Sequence, residues 1–253
     1  MSSDSEYILE TKNLVKEFKG FVAVNDVNLK VRRGSIHALI GPNGAGKTTV
    51  FNLLTKFHEP TAGHILFNGA DITPEKPADI ARRGVIRSFQ ISAVFSHLTV
   101  LENVRIALQR KLGTSFHFWK SEKSLDRLNN RARELLEAVD LAPFAETVTV
   151  ELPYGRKRAL EIATTLALDP ELMLLDEPTA GMAHADVDRV TKLIAQVAKG
   201  RTVLMVEHNM SVVSGISDII TVLTRGAILA EGAYAEVAKN QQVMEAYMGT
   251  AHA

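Results

Sequence analysis

The chain contains no cysteine. That excludes disulfides, thiolate metal centres and thiol nucleophiles, and fits a reducing compartment. Aromatic residues are sparse at 6%, with a single tryptophan. No apolar stretch approaches the ~18 residues of a membrane span. The opening residues Met1 to Glu6 are polar and acidic, without the basic start and apolar run of a signal peptide. A soluble, cytoplasmic protein is therefore expected. An excess of one charge is also missing, since Lys+Arg and Asp+Glu are both 29. A broad basic nucleic-acid surface is not expected, and no nucleic acid is among the anticipated partners. Against these absences stand 253 residues, 46% of them hydrophobic. That is enough to bury a core and argues against disorder.

Apolar and β-branched patterning predicts short strands through residues 7–40, ending in the compact run Ile36–Ile40 before Gly41. A helix is expected over Lys47–Phe57, then a hairpin around His64–Phe67 and the Asn68-Gly69 turn. From Ile91 to Ala142 the spacing of Leu125, Leu128, Leu135, Leu136 and Val139 is helical. Further helices are expected over Arg158–Leu168 and Val187–Ala198, alternating with buried strands at Leu172–Leu175 and Thr202–Val206. A strand–turn–strand over Val222–Ala230 precedes a C-terminal helix. Strands alternating with helices at both ends predict an α/β core with a helical insertion.

Gly41-Pro42-Asn43-Gly44-Ala45-Gly46-Lys47-Thr48 is a phosphate-loop pattern set between a predicted strand and helix. Successive backbone N–H groups can wrap phosphates there, and the helix N-terminus adds positive potential. Lys47 would reach the β- and γ-phosphates, and the Thr48 hydroxyl would ligate Mg²⁺. Thr49 completes the set of candidate contacts. The run Leu172–Leu175 ends in Asp176-Glu177, two carboxylates where open α/β sheets bind ligands. Asp176 would hold Mg²⁺ through its water shell, and Glu177 would orient the attacking water. ATP and Mg²⁺ are the expected ligands.

With these motifs in place, the sequence resembles the nucleotide-binding subunits of ABC transporters over nearly its whole length. The resemblance implies a P-loop ABC ATPase core with an N-terminal antiparallel β portion and an inserted helical subdomain. It implies roles for further residues. Gln90, in Arg87-Ser-Phe-Gln90, matches the glutamine that links Mg²⁺ and water to the membrane subunits. His208 matches the switch histidine at the γ-phosphate, and Phe18 the ring that stacks on adenine. Pro153, Tyr154 and Gly155 occupy the signature position, which serves the nucleotide of a partner subunit. Pro153 brings no serine hydroxyl there, and Ala183 and His184 replace the usual Asp or Asn and Pro of the following loop. Gly41–Phe51, Gly84–Gln90, Leu160–Ala163, Ala180–Met182 and Glu207–Met210 resemble the ATPase subunits of branched-chain amino-acid importers, and the insertion around 111–124 with the ending Val243–Gly249 resembles the longer of the two such ATPases.

The resemblance further implies a second ATPase subunit closing head-to-tail, separate transmembrane permeases and, indirectly, a periplasmic solute-binding protein. It also implies a peripheral place on the cytoplasmic face of the inner membrane. The expected division is a core of 1–89 and 161–235, a helical subdomain of 90–160 and a tail of 236–253. Residues 105–133 carry eight Lys or Arg against Glu122 and Asp126, with Phe116, Phe118 and Trp119 among them. Such a segment suits lipid headgroups or a membrane-protein partner, or else is a solvated helix pair. A nucleotide-regulated subunit with little hydrolysis and the ATPase of a lipopolysaccharide-type exporter remain as alternatives.

Overall fold

The computed structural model describes residues 6–88, 94–111 and 128–248. Gln90, Phe116, Phe118 and Trp119 lie outside the described residues.

Two sheets enclose one short helix. The first is antiparallel, built from β1 (Tyr7–Phe18), β2 (Phe21–Val27), β3 (Lys30–Arg32), β5 (Ala62–Phe67) and β6 (Ala70–Asp71). The second takes β4 (Ile36–Ile40), β7 (Val85–Ser88), β8 (Leu172–Asp176), β9 (Thr202–Val206), β10 (Ile219–Thr224) and β11 (Ala227–Gly232). Its order is β11-β10-β4-β9-β8-β7, parallel throughout except for β11. The helices are α1 (Lys47–Leu54), α2 (Pro77–Arg82), α3 (Val100–Lys111), α4 (Asn129–Glu137), α5 (Tyr154–Ala167), α6 (His184–Val197), α7 (Met210–Ile216), α8 (Tyr234–Val237) and α9 (Gln241–Met248).

β4, β8 and β9 are buried at every residue, so their sequences read as continuous apolar runs rather than alternating ones. The two faces nonetheless serve different cores. Leu172, Leu174 and Leu204 point to a core shared with α1 and the antiparallel sheet. Met173, Leu175, Val203 and Met205 point to a core shared with α3–α7. A one-residue slip would exchange the two sets.

Register then places the functional loops side by side. Asp176 pairs with Val206, and Val206 pairs with Leu39. The ends of β8, β9 and β4 therefore open at one level, the place where α/β sheets bind ligands.

Four helix boundaries differ from expectation. α1 stops at Leu54 rather than Phe57, because Lys56 turns to φ +60 and its ammonium bonds the Thr73 carbonyl. α5 starts at Tyr154 rather than Arg158, with Pro153 as the N-cap before it. α5 also runs through position 160, where the core and helical subdomain were divided. α6 starts at His184, after Ala183 at its N-cap. Within the stretch expected to be helical from Ile91, α3 begins only at Val100. There Thr99 Oγ1 accepts from Glu102 N at 3.2 Å while Glu102 accepts from Thr99 N at 2.7 Å, a reciprocal cap. Those bonds hold the Glu102 carboxyl below its ordinary range.

Candidate nucleotide site

The loop from Gly41 to Gly46 leaves β4 and enters α1 under close backbone constraint. Gly41 has φ +149, and a Cβ there would lie 2.1 Å from the Leu223 carbonyl oxygen. At Gly46, φ +100, a Cβ would lie 2.5 Å from the Ala23 carbonyl oxygen. Gly226 N donates to Ala45 O at 3.0 Å, and Asn25 N donates to Gly226 O at 2.8 Å. The loop is thus clasped between β2 and the β10–β11 turn, and only residues without a side chain fit the two contact points. Beside its tip lies a cavity of about 600 Å³ bounded by Pro42–Ala45, Arg225, Gln242 and Glu245 of α9.

Lys47 is buried and curls back, donating to Gly41 O at 2.7 Å and Pro42 O at 3.0 Å. Burial pushes its pKa down, and the nearby charges of Glu177 and Asp176 push it back up. The ammonium thus closes back onto the carbonyls of its own loop. Thr48, second in α1, is exposed, and Thr49 is half-buried.

Opposite the loop, Asp176 is held by arginines. Arg87 on β7 donates to Asp176 Oδ2 at 2.5 Å, and both side chains are nearly buried. Arg158 of α5 donates to the Asp176 carbonyl at 3.3 Å and to Glu161 at 2.5 Å. Glu177 stands at φ +45, an unusual conformation for a residue with a Cβ. Its N–H donates to Val206 O at 2.9 Å, and its carbonyl accepts from Ala180 N at 3.1 Å.

Glu207, fully buried at the end of β9, joins two loops. One oxygen accepts from Thr179 N at 3.2 Å and from the Thr179 hydroxyl. The other accepts from His208 N at 2.7 Å and Asn209 N at 3.0 Å. Asn209 in turn caps α7 by accepting from Ser211 N. The His208 ring stays largely exposed, with Nδ1 3.8 Å from Glu207.

Thus the loop, Asp176, Glu177 and His208 come together. Phe18 lies at the β1–β2 hairpin end, 38% exposed, with its ring edge-on to His58 at 5.2 Å and Lys16 above it at 4.9 Å. That hairpin meets the loop through Ala23, and Phe18 belongs to neither buried core. At the signature, Tyr154 is exposed and its hydroxyl donates to Ala180 O at 3.4 Å. A Cβ on Gly155 would lie 2.7 Å from Asp186 Oδ1, so α5 and α6 meet there without room for a side chain. Pro153 and Ala183 both stand at helix N-caps and supply no capping side chain.

Three residues at the site escaped the sequence reading: Arg87, Arg158 and Glu207. Their signal was adjacency alone, Arg87 three residues before Gln90 and Glu207 directly before His208. The donor set fits Mg²⁺, which takes one or two protein oxygens together with water and phosphate oxygens. Asp176 and Thr48 supply such oxygens, beside a backbone cradle that a Cβ would fill.

Fold and site together define a P-loop ATP-binding cassette. The sequence model of the ABC transporter family matches residues 24–180, and that of the branched-chain amino acid ATP-binding cassette transporter matches 227–253. The chain belongs to the ABC transporter family, and it is the ATP-binding and ATP-hydrolysing subunit of an ABC importer. Among its relatives is the high-affinity branched-chain amino acid transport ATP-binding protein BraF of Pseudomonas aeruginosa. That protein is 41% identical over 98% of this chain and 100% of its own. Its counterpart LivG of Escherichia coli K12 is 40% identical with the same coverage. A crystal structure of an ABC-transporter ATP-binding cassette in its ADP conformation superposes with TM-score 0.84 at 30% identity, covering 97% of this chain and 100% of the other. A dimeric cassette bound to ADP and Pi in a post-hydrolysis state gives 0.73 at 25%, covering 89% and 98%. Among the described residues no helix is long and apolar enough to cross a membrane.

Proposed function

We propose that the chain powers import of branched-chain amino acids, binding ATP with Mg²⁺ between the glycine loop and the ends of β8 and β9. The observation that carries the nucleotide reading is the clasped loop with Lys47 facing Asp176 and Glu177. The substrate reading is supported by the match over 227–253 and by the names of the relatives.

In this reading Lys47 leaves the Gly41 and Pro42 carbonyls for the phosphates, and Asn43–Thr49 surround them with N–H groups. Mg²⁺, held by Thr48, Asp176 and Gln90, would neutralise charge on the β- and γ-phosphates. Glu177 orients and deprotonates the attacking water, and His208 reaches the γ-phosphate from the next strand end. Phe18 stacks on the base.

Two cassettes close head-to-tail around the nucleotides, a reading supported by a solved relative that is dimeric with ADP and Pi bound. Pro153, Tyr154 and Gly155 then face the partner's nucleotide, and Pro153 contributes helix-end backbone but no hydroxyl. The pair sits on the cytoplasmic face of the inner membrane, docked on separate permeases that receive solute from a periplasmic binding protein. The aromatic, basic segment around Phe116, Phe118 and Trp119 helps to seat it.

Glu177→Gln tests the reading. It should retain ATP but lose about 10²–10⁴-fold in hydrolysis, the usual worth of a general base. Cells lacking the chain should lose uptake of labelled leucine, isoleucine and valine, and regain it with the wild type but not with Glu177→Gln. Wild-type hydrolysis by Glu177→Gln would remove Glu177 from the chemistry, and unchanged uptake in the deletion would remove the substrate.

A further inference from the structure

The Arg87–Asp176 pair uses the carboxylate assigned to the metal. Arg87 Nη2 donates to Asp176 Oδ2 at 2.5 Å, with the side chains 9% and 5% exposed. The second arm of the fork, Nη1, donates to Asn52 Oδ1 at 2.7 Å. Asn52 lies on α1, five residues after Lys47. The guanidinium carbon also stands 5.7 Å from the centre of the Phe51 ring. Arg87 is therefore anchored to the helix behind the phosphate loop by a neutral acceptor and an aromatic ring. The other terminal nitrogen grips Asp176.

A buried carboxylate without a cation nearby is costly. A second cation brought to a carboxylate already paired meets both a neutralised ligand and like-charge repulsion. We infer that Arg87 is the resident counter-charge of the metal-holding carboxylate, so that its guanidinium and Mg²⁺ compete for Asp176. While metal is absent, Arg87 balances the charge of Asp176. When metal binds with its water shell, those waters compete for Oδ2, and the fork gives it up while staying on Asn52 and Phe51. Metal affinity is weaker than Asp176 alone would provide, and an emptied site does not leave a bare buried carboxylate.

This inference rests on the reading that Asp176 holds the metal, and the experiment separates the two. Mn²⁺ serves as the probe, its binding followed by electron paramagnetic resonance on the full chain saturated with ADP. Arg87→Met removes the charge and keeps an apolar stem over Phe51. It should bind Mn²⁺ at least about tenfold more tightly than the wild type, a factor that corresponds to about 1.4 kcal/mol. Asp176→Asn should bind it at least about tenfold more weakly. Weak binding by Asp176→Asn with unchanged or weakened binding by Arg87→Met overturns the competition and leaves Asp176 as a ligand. Unchanged binding by Asp176→Asn overturns the ligand assignment, and the competition with it.

Arg87→Met leaves Asp176 without its partner and can fail to fold, so a second measurement uses the wild type. The side-chain NMR resonances of Arg87 should move when Mg²⁺ is added to ADP-saturated protein, and stay put when Mg²⁺ is added to Asp176→Asn. Unmoved resonances in the wild type overturn the inference.

Discussion

The two sides of the nucleotide site are built on different principles. On the loop side, main chain meets main chain: the Leu223 and Ala23 carbonyls press on Gly41 and Gly46, and Gly226 bonds Ala45. On the carboxylate side, buried charges do the holding. Arg87 grips Asp176, Arg158 reaches its carbonyl, and Glu207 gathers Thr179, His208 and Asn209. Main-chain packing leaves no alternative arrangement and suits a cradle of fixed shape. Charged side chains can exchange partners, which suits groups that must answer to metal and phosphate. The contrast teaches where rigidity and responsiveness are separated within one site.

The sharpest way to break the contrast is at the loop. Gly41→Ala places a methyl 2.1 Å from the Leu223 oxygen. The loop must shift, and the loss of about two charge-assisted hydrogen bonds should weaken ATP by at least ~100-fold. Gly44, φ +78, has open space around it, so Gly44→Ala carries only backbone strain of about 1–2 kcal/mol. Titrating both variants with a fluorescent ATP analogue checks the ranking. Equal losses would mean that close packing does not define the loop.

The strand beneath the loop offers a test by pH. His37 of β4 is fully buried, with Nε2 2.7 Å from Thr221 Oγ1. The Thr221 hydroxyl donates to Glu231 at 2.5 Å, so Nε2 carries the proton and donates. Nδ1 is buried without a hydrogen-bond partner among the described residues, and burial lowers the His37 pKa to about 4. The unfolded chain takes up this proton near pH 6.5, the folded chain only near 4. Stability should therefore fall as pH drops across that window, by up to about 3 kcal/mol. Urea unfolding at pH 7, 5 and 4 measures it, and His37→Asn should flatten this part of the slope. No flattening would remove His37 as the cause.

A smaller effect is expected on the carboxylate side. Glu207→Gln keeps shape but turns an NH₂ toward backbone donors on one of its two flanks. Loosening Thr179 or His208 should cost about 1.5–3 kcal/mol of local fixing. It should lower kcat about tenfold or more, with the ATP Kd within about twofold. A matching loss in Kd would assign Glu207 to general stability instead of to the placement of His208.

The loop could be read from the sequence because its constraint is carried by residue type. Only glycine tolerates the backbone at Gly41 and Gly46, and only an apolar strand can end in Asp176-Glu177 while lying buried on both faces. Arg87 and Glu207 were illegible as residue types, since either is ordinary on a surface. Helix starts at Tyr154 and His184 were missed because the caps, Pro153 and Ala183, carry no capping side chain. Close to both starts, α5 and α6 approach each other at Gly155 and Asp186.

The sequence by itself thus determined the phosphate loop, the acidic strand end and the family. Local patterns encode these, a glycine loop or a buried strand being specified by a handful of consecutive residues. The tertiary structure alone decided which charges meet: Arg87 reaches Asp176 across 89 positions and Glu207 reaches Thr179 across 28. Such partners are chosen by sheet order, because β7, β8 and β9 lie side by side however far apart they fall along the chain.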